Sequence, residues 1–191
     1  MKKASLLTTL FILGSFGLFA QTKWNVDKAH SNLDFTVTHM SLSEVDGRFK
    51  NFDASITASK PDFSDAVFTL SADVASINTE NDMRDGDLKS DKYFDIAKYP
   101  KMTFVSRSIS RINAKKYKLT GDLTLHGITK TVSLELTYNG TGKSMRTQKP
   151  VAGFKVTGTI NRNDFGVGHA PGAIISEDID IKANGEFEQA I

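Results

Sequence analysis

Along most of the chain, apolar and polar residues alternate with a period of two. Leu33, Phe35, Val37 and His39 fall on one face, with Asp34, Thr36 and Thr38 opposite. Phe68, Leu70, Ala72 and Val74 alternate with Thr69, Ser71 and Asp73; Leu119, Leu123 and Leu125 alternate with Thr120, Asp122 and Thr124. The pattern continues through Val132, Leu134, Leu136 and Tyr138, through Phe154, Val156 and Ile160, and through Ile179 and Ile181. Each run predicts a strand with one apolar and one wet face. With 48–58 and 101–113 added, the chain predicts about eight strands.

Strands buried on both faces would read as continuous apolar runs, so alternation predicts an antiparallel sheet. His126-Gly127 predicts a tight hairpin, Asn139-Gly140 predicts the end of the following strand, and a short turn is expected over Ser41–Glu44. Only the stretch near 79–97 breaks the alternation. Thr79 followed by Asp82 predicts a helix start, and Met83, Leu88, Tyr93, Phe94 and Ile96 supply an apolar side. Gly86 limits this insert to one or two helical turns, and Pro100 predicts a strand start. Eight amphipathic strands can form a sandwich or a barrel, and periodicity favours neither. A barrel removes the exposed edges, and the insert could cover one mouth, so the expectation is an all-β, closed, eight-stranded antiparallel barrel.

Residues 1–20 change the picture. Lys2 and Lys3 precede an apolar stretch from Leu6 to Phe19 that ends at Ala20, the pattern of a secretory signal peptide, with Leu18 larger than cleavage prefers. The stretch is short for a membrane span and carries Gly, Ser and Thr. The expected organisation is a signal peptide over 1–20 and one domain over 21–191, periplasmic or secreted. Without Lys2 and Lys3 the formal charge of +2 falls to zero. No long basic run marks the chain for nucleic acid. There is no cysteine, which rules out disulfides, thiolate metal sites, a cysteine nucleophile and a lipoprotein anchor.

Candidate chemistry is sparse. His30, His39, His126 and His169 show no converging metal-ligand spacing. His30 and His39 are an odd number of residues apart, and His39 shares the apolar face of Phe35 and Val37. Asp82, Asp85 and Asp87 imitate a calcium loop but lack its glycine and later glutamate. Gly166-Val167-Gly168 lacks the third glycine of a dinucleotide site, and no Gly-x-Ser-x-Gly element is present. No catalytic residue and no metal site is therefore assigned. Of 13 phenylalanines, ten lie beyond the leader, most on the apolar faces of predicted strands. Alternation alone favours reading them as a packed core over a cavity wall.

Several segments resemble the bacterial YceI-like family of polyisoprenoid-binding proteins with a lipocalin-like barrel. They are Trp24 to Ser31 continuing through Phe35 to His39, Val45-Asp46-Gly47-Arg48-Phe49, Leu88 to Asp95, Lys98 to Phe104, Gly121 to Lys130, and Asn161 to Val167. They occur in the family's order and span nearly the whole chain after the leader. Asp87 departs from the pattern, standing where the family is expected to carry a histidine. The resemblance implies an exported, non-enzymatic binder of an amphiphilic isoprenoid-type lipid, of the quinone or polyprenyl phosphate class, with no other cofactor. It implies an apolar wall of Phe35, Val37, Phe68, Leu70, Phe104, Leu125, Leu134 and Phe154, and a polar head site of His30, His39, Arg84 and Lys89. A transient membrane-surface contact and a homodimer are both compatible with it. Two other readings compete: a stress or interaction module whose barrel is filled by side chains, and a lipid-processing enzyme.

Overall fold

The computed structural model describes residues 21–190; the expected signal peptide lies outside them. Ten strands form one antiparallel sheet: β1 (Thr22–His39), β2 (Ser43–Phe49), β3 (Phe52–Ala58), β4 (Val67–Asp73), β5 (Ile77–Asn78), β6 (Lys101–Arg111), β7 (Lys116–Leu125), β8 (Ile128–Lys143), β9 (Pro150–Asn161) and β10 (Asp178–Gln189). The sheet closes because β1 pairs on one side with β10, from Trp24 opposite Gln189 to Thr36 opposite Asp180. On its other side β1 pairs with both β2 and β3. Those two are one barrel position bent at Lys50-Asn51. β4 and β5 form the next position, bent at the 3₁₀ turn Val74–Ser76, whose Ser76 carbonyl accepts from the Lys50 amide. Ten strands thus make a closed eight-stranded barrel.

The expected alternation sets the inward face. Tyr117, Leu119, Gly121, Leu123 and Leu125 are all buried along β7, and Met102, Phe104 and Ser106 along β6. Burying residues such as Leu119, Leu136 or Ile56 stabilises by roughly 1.5–3 kcal/mol each. His126-Gly127 forms the expected tight hairpin, both residues having positive φ as the favoured two-residue turn requires.

Three local expectations are corrected. Asn139-Gly140 does not end a strand: β8 runs on to Lys143, and Gly140, at φ 120°, sits in a bulge opposite β9. A bulge uses a flexible glycine as readily as a turn does. The turn after β1 covers residues 40–42, and Glu44 is already in β2. The helix, α1 (Asp82–Lys89), is capped by Asn81, whose side chain accepts from the Arg84 amide. Thr79 is held instead by a buried carboxylate. Asp85 accepts from the Thr79 amide (2.8 Å) and hydroxyl (2.6 Å).

The two ends of the barrel differ. At one, the loop 59–66 folds inward and buries Phe63 and Ala66, while the Tyr117 hydroxyl donates to the Asp62 carbonyl at 2.9 Å. Above this plug, Phe154 touches Phe63, Phe68, Tyr138 and Phe187, with ring centroids 5.0–5.9 Å apart. The other end is surrounded by the β1–β2 turn, α1 with the segment after it, and the β9–β10 connection. Here the interior is not filled.

Candidate functional site: a one-mouthed apolar cavity

Inside that second end lies a cavity of about 380 Å³. β1 and β2 contribute Leu33, Phe35, Val37, Val45 and Phe49, because these are the inward positions of two paired strands. Ile179 and Ile181 on β10, beside β1, then Ile160 on β9, Leu125 on β7 and Met102 on β6 complete the wall. Leu88, Tyr93 and Phe94 come from the helical insert, with Phe94 edge-on to Phe49. The wall is mostly apolar; its polar members are Asp34, Thr79, Asn81, Arg84, Asp87 and Arg162. A polar groove of about 590 Å³ adjoins the rim and shares Asp34, Val45, Thr79 and Arg84 with it.

The rim is held by two polar clusters. Arg84 donates through Nε to the Thr79 hydroxyl and through Nη2 to its carbonyl, both at 2.7 Å. Thr79 is itself fixed by Asp85. Burial alone would raise the Asp85 pKa, but the Thr79 hydrogen bonds, aided by Lys89 and Arg84, hold it below the ordinary carboxylate value. The second cluster centres on Arg162, which is buried at the end of β9. Its guanidinium donates to the carbonyls of Val167, Gly168 and Ile175 (each 3.2 Å), Ser176 (3.1 Å) and Ala170. No acidic side chain pairs with it among the described residues, so these backbone carbonyls and the Asn163 side-chain oxygen, which accepts from Nη1 at 3.2 Å, compensate its charge. One side chain thereby fastens the whole 166–177 connection over the barrel end.

Of the expected wall residues, Phe35, Val37 and Leu125 line the cavity. Phe68, Phe104 and Phe154 face inward but are buried deeper in the filled half, and Leu70 and Leu134 pack against that core. Those five lie in the packed core beyond the cavity. Of the expected head contacts, Arg84 alone lines the cavity. His39 is exposed at the end of β1, pairing with Ile175, so its inward placement is corrected. Lys89 is on α1 but not on the cavity wall. His30 lies on the exposed surface, in the irregular pairing between Asp27 and Asn32, with its Nδ1 3.0 Å from Asp27 and 3.9 Å from Glu186. The hydrogen bond to Asp27, then the charges of Asp27 and Glu186, raise its pKa. These three groups could hold a cation, but their exposure is that of an ordinary surface charge cluster. Arg162, Val167 and Ile175 were not expected at the site. A lone arginine between a strand end and Phe-Gly-Val-Gly was the available signal.

Residues 24–187 match the model of the YceI-like domain. A UPF0312 protein of Staphylococcus aureus strain MSSA476 is 36% identical over 171 residues, covering 87% of this chain and 97% of the relative. Among solved structures, Burkholderia cenocepacia BcnA superposes with a TM-score of 0.76 at 26% identity, covering 84% of this chain and 98% of that one. The Campylobacter jejuni YceI protein gives 0.74 at 32% identity, covering 81% and 90%. A polyisoprenoid-binding domain from Saccharophagus degradans shares the fold, with a TM-score of 0.63 at 17% identity over 88% and 98%. This chain belongs to the YceI-like family.

Proposed function

We propose that the protein binds an amphiphilic lipid of the isoprenoid type, tail inside the barrel and head at the rim, and that it binds without catalysis. The observation carrying this reading is the cavity itself. It is apolar, open at one end, and plugged at the other by Phe63 and its aromatic neighbours. Its 380 Å³ falls in the range of small-molecule sites, about 300–1,000 Å³. That volume suits a short tail or the head-proximal part of a long one. Burial of each methylene contributes about 0.8 kcal/mol, offset by ordering of the chain. Tail length then tunes affinity loosely, and Thr79, Asn81, Arg84 and Asp87 select the head. The filled half argues against Phe154 or Phe104 as direct ligand contacts, and the unfilled half argues against a barrel packed only with its own side chains. The polyisoprenoid-binding description of the Saccharophagus degradans domain is consistent with this ligand class. We further propose that the leader directs the protein to the periplasm or the exterior, where it carries or stores the lipid.

The test is direct. The protein is purified from its native host and extracted with organic solvent, and the extract is examined by mass spectrometry. A stoichiometric isoprenoid-type lipid is expected. Repeated absence of one, with no thermal shift on adding long-chain isoprenoids, would sink the proposal.

A further inference from the structure

Four exposed apolar side chains stand around the cavity mouth: Met40 and Leu42 on the β1–β2 turn, Met83 on α1, and Ile174 on the β9–β10 connection, exposed by 52%, 83%, 81% and 47%. Three of them share one rigid support. The Met40 amide donates to the Ile174 carbonyl at 2.8 Å, and the Ser176 amide donates to the Thr38 carbonyl at 2.9 Å. The flap fastened by Arg162 therefore extends the β1 edge, and Leu42 and Ile174 are presented from it. Met83 both lines the cavity and is mostly exposed, so at this point the apolar lining reaches the outer surface.

We propose that this ring is a docking rim for a lipid bilayer, inserting shallowly so that the mouth meets the membrane and the lipid passes without crossing water. The inference rests on the lipid-binding reading and adds where and with what the exchange occurs. Four side chains interrupted by Glu44, Asp82 and Asp87 fall short of the roughly 800 Å² per partner that a stable protein interface buries. A second copy seated there would also seal both mouths. Shallow insertion of a few apolar side chains is what interfacial binding uses. Among the described residues no helix is long and apolar enough to span a bilayer. Its charge is distinctive too. Glu44, Asp82 and Asp87 flank the ring, and Arg84 is turned onto Thr79. Docking should therefore be driven by apolar insertion and gain nothing from anionic lipid, unlike a polybasic contact.

The experiment uses protein purified from its host and stripped of lipid. Flotation with zwitterionic phosphatidylethanolamine–phosphatidylcholine vesicles measures docking, and the rate of geranylgeraniol uptake from those vesicles measures exchange. Binding of geranylgeraniol presented in detergent measures the cavity alone. The double variant L42D/I174D changes exposed residues outside the cavity wall. Each insertion contributes on the order of tenfold in partition, so docking and vesicle uptake should fall at least tenfold, with thermal stability and detergent binding unchanged. Added phosphatidylglycerol should not strengthen docking, and salt should not abolish it. The proposal is overturned if L42D/I174D docks and loads like the parent, if docking needs anionic lipid, or if the variant merely converts a dimer to a monomer while uptake persists. Wild-type protein that binds from detergent but never docks overturns the rim and leaves the lipid reading intact. Docking without any detergent binding overturns the lipid reading and leaves the rim.

Discussion

The Phe35 ring lies where a side chain on Gly47 would begin: a Cβ built on Gly47 would stand 2.2 Å from the ring's Cζ. The two residues are direct partners across β1 and β2, one before and one after the turn at the mouth. Gly47 is thus what lets an aromatic ring lie flat against the barrel wall, 5.7 Å from the Phe49 ring, instead of projecting into the cavity. Gly47→Ala must push Phe35 away. Overpacking typically costs 1–3 kcal/mol, and the empty space beside the ring places this variant near the lower bound. The displaced ring then occupies ligand volume. Chemical denaturation should show a loss of about 1 kcal/mol, while lipid affinity falls by about tenfold. A variant that loses stability with unchanged affinity would show that the ring moves elsewhere.

Arg162 supports a prediction about the flap. Replacing it by Met keeps much of its length but leaves the carbonyls of Val167, Gly168, Ala170, Ile175 and Ser176 without their donor. Each buried unsatisfied group costs about 1–3 kcal/mol, less where water enters, so a total loss of at least about 3 kcal/mol is expected. Lys cannot reproduce the planar fork and should recover little of it. Limited proteolysis should cut both variants within 166–177 first. Protection there equal to the parent's would show that the flap is fastened by other contacts.

The barrel was legible because one face of each strand meets the core and the other meets water, which forces alternation at Leu33–Val37, Phe68–Val74 and Leu119–Leu125 alike. The cavity was legible only in part. Alternation reports whether a residue faces inward, not how far along the barrel axis it lies. Phe35 on the wall and Phe104 in the packed half therefore carry the same signal. His39 keeps the strand register with Ser43 but is the last residue of β1, where the barrel wall ends and a side chain meets solvent. The flap and the plug were not legible at all. Phe63 and Arg162 are buried from irregular segments by contacts distant in sequence, and no local period encodes those.

Asp85 predicts a pH dependence of the rim. Its folded pKa lies below the ordinary value of 3.8, so its contribution to stability is complete above that value and is lost as pH falls through the lower folded one. Asp85→Ala leaves the Thr79 amide and hydroxyl unsatisfied in a buried site, at a cost of about 1–3 kcal/mol near neutral pH. That difference from the parent should narrow as pH falls below about 3.8. Denaturation of both proteins across an acid series measures it. A difference constant down to the lowest pH would mean that the carboxylate's charge is not what holds Thr79.

Phe154 separates holding the barrel from holding the ligand. Its ring meets four other aromatic rings, is 3% exposed, and does not line the cavity. Phe154→Ala removes this hub and leaves a void that the plug cannot collapse into without moving Phe63. A loss of about 3–5 kcal/mol is expected, among the largest from any single truncation in this core. The cavity beyond it is lined by other residues and should survive, so affinity per folded molecule should change little. Leu125→Ala gives the opposite balance, because it enlarges the cavity directly and alters ligand selection as well as stability. Parallel measurement of denaturation midpoints and lipid affinity distinguishes the two. Loss of binding in folded Phe154→Ala equal to that in Leu125→Ala would mean that the tail penetrates to the aromatic plug and that the cavity is deeper when occupied.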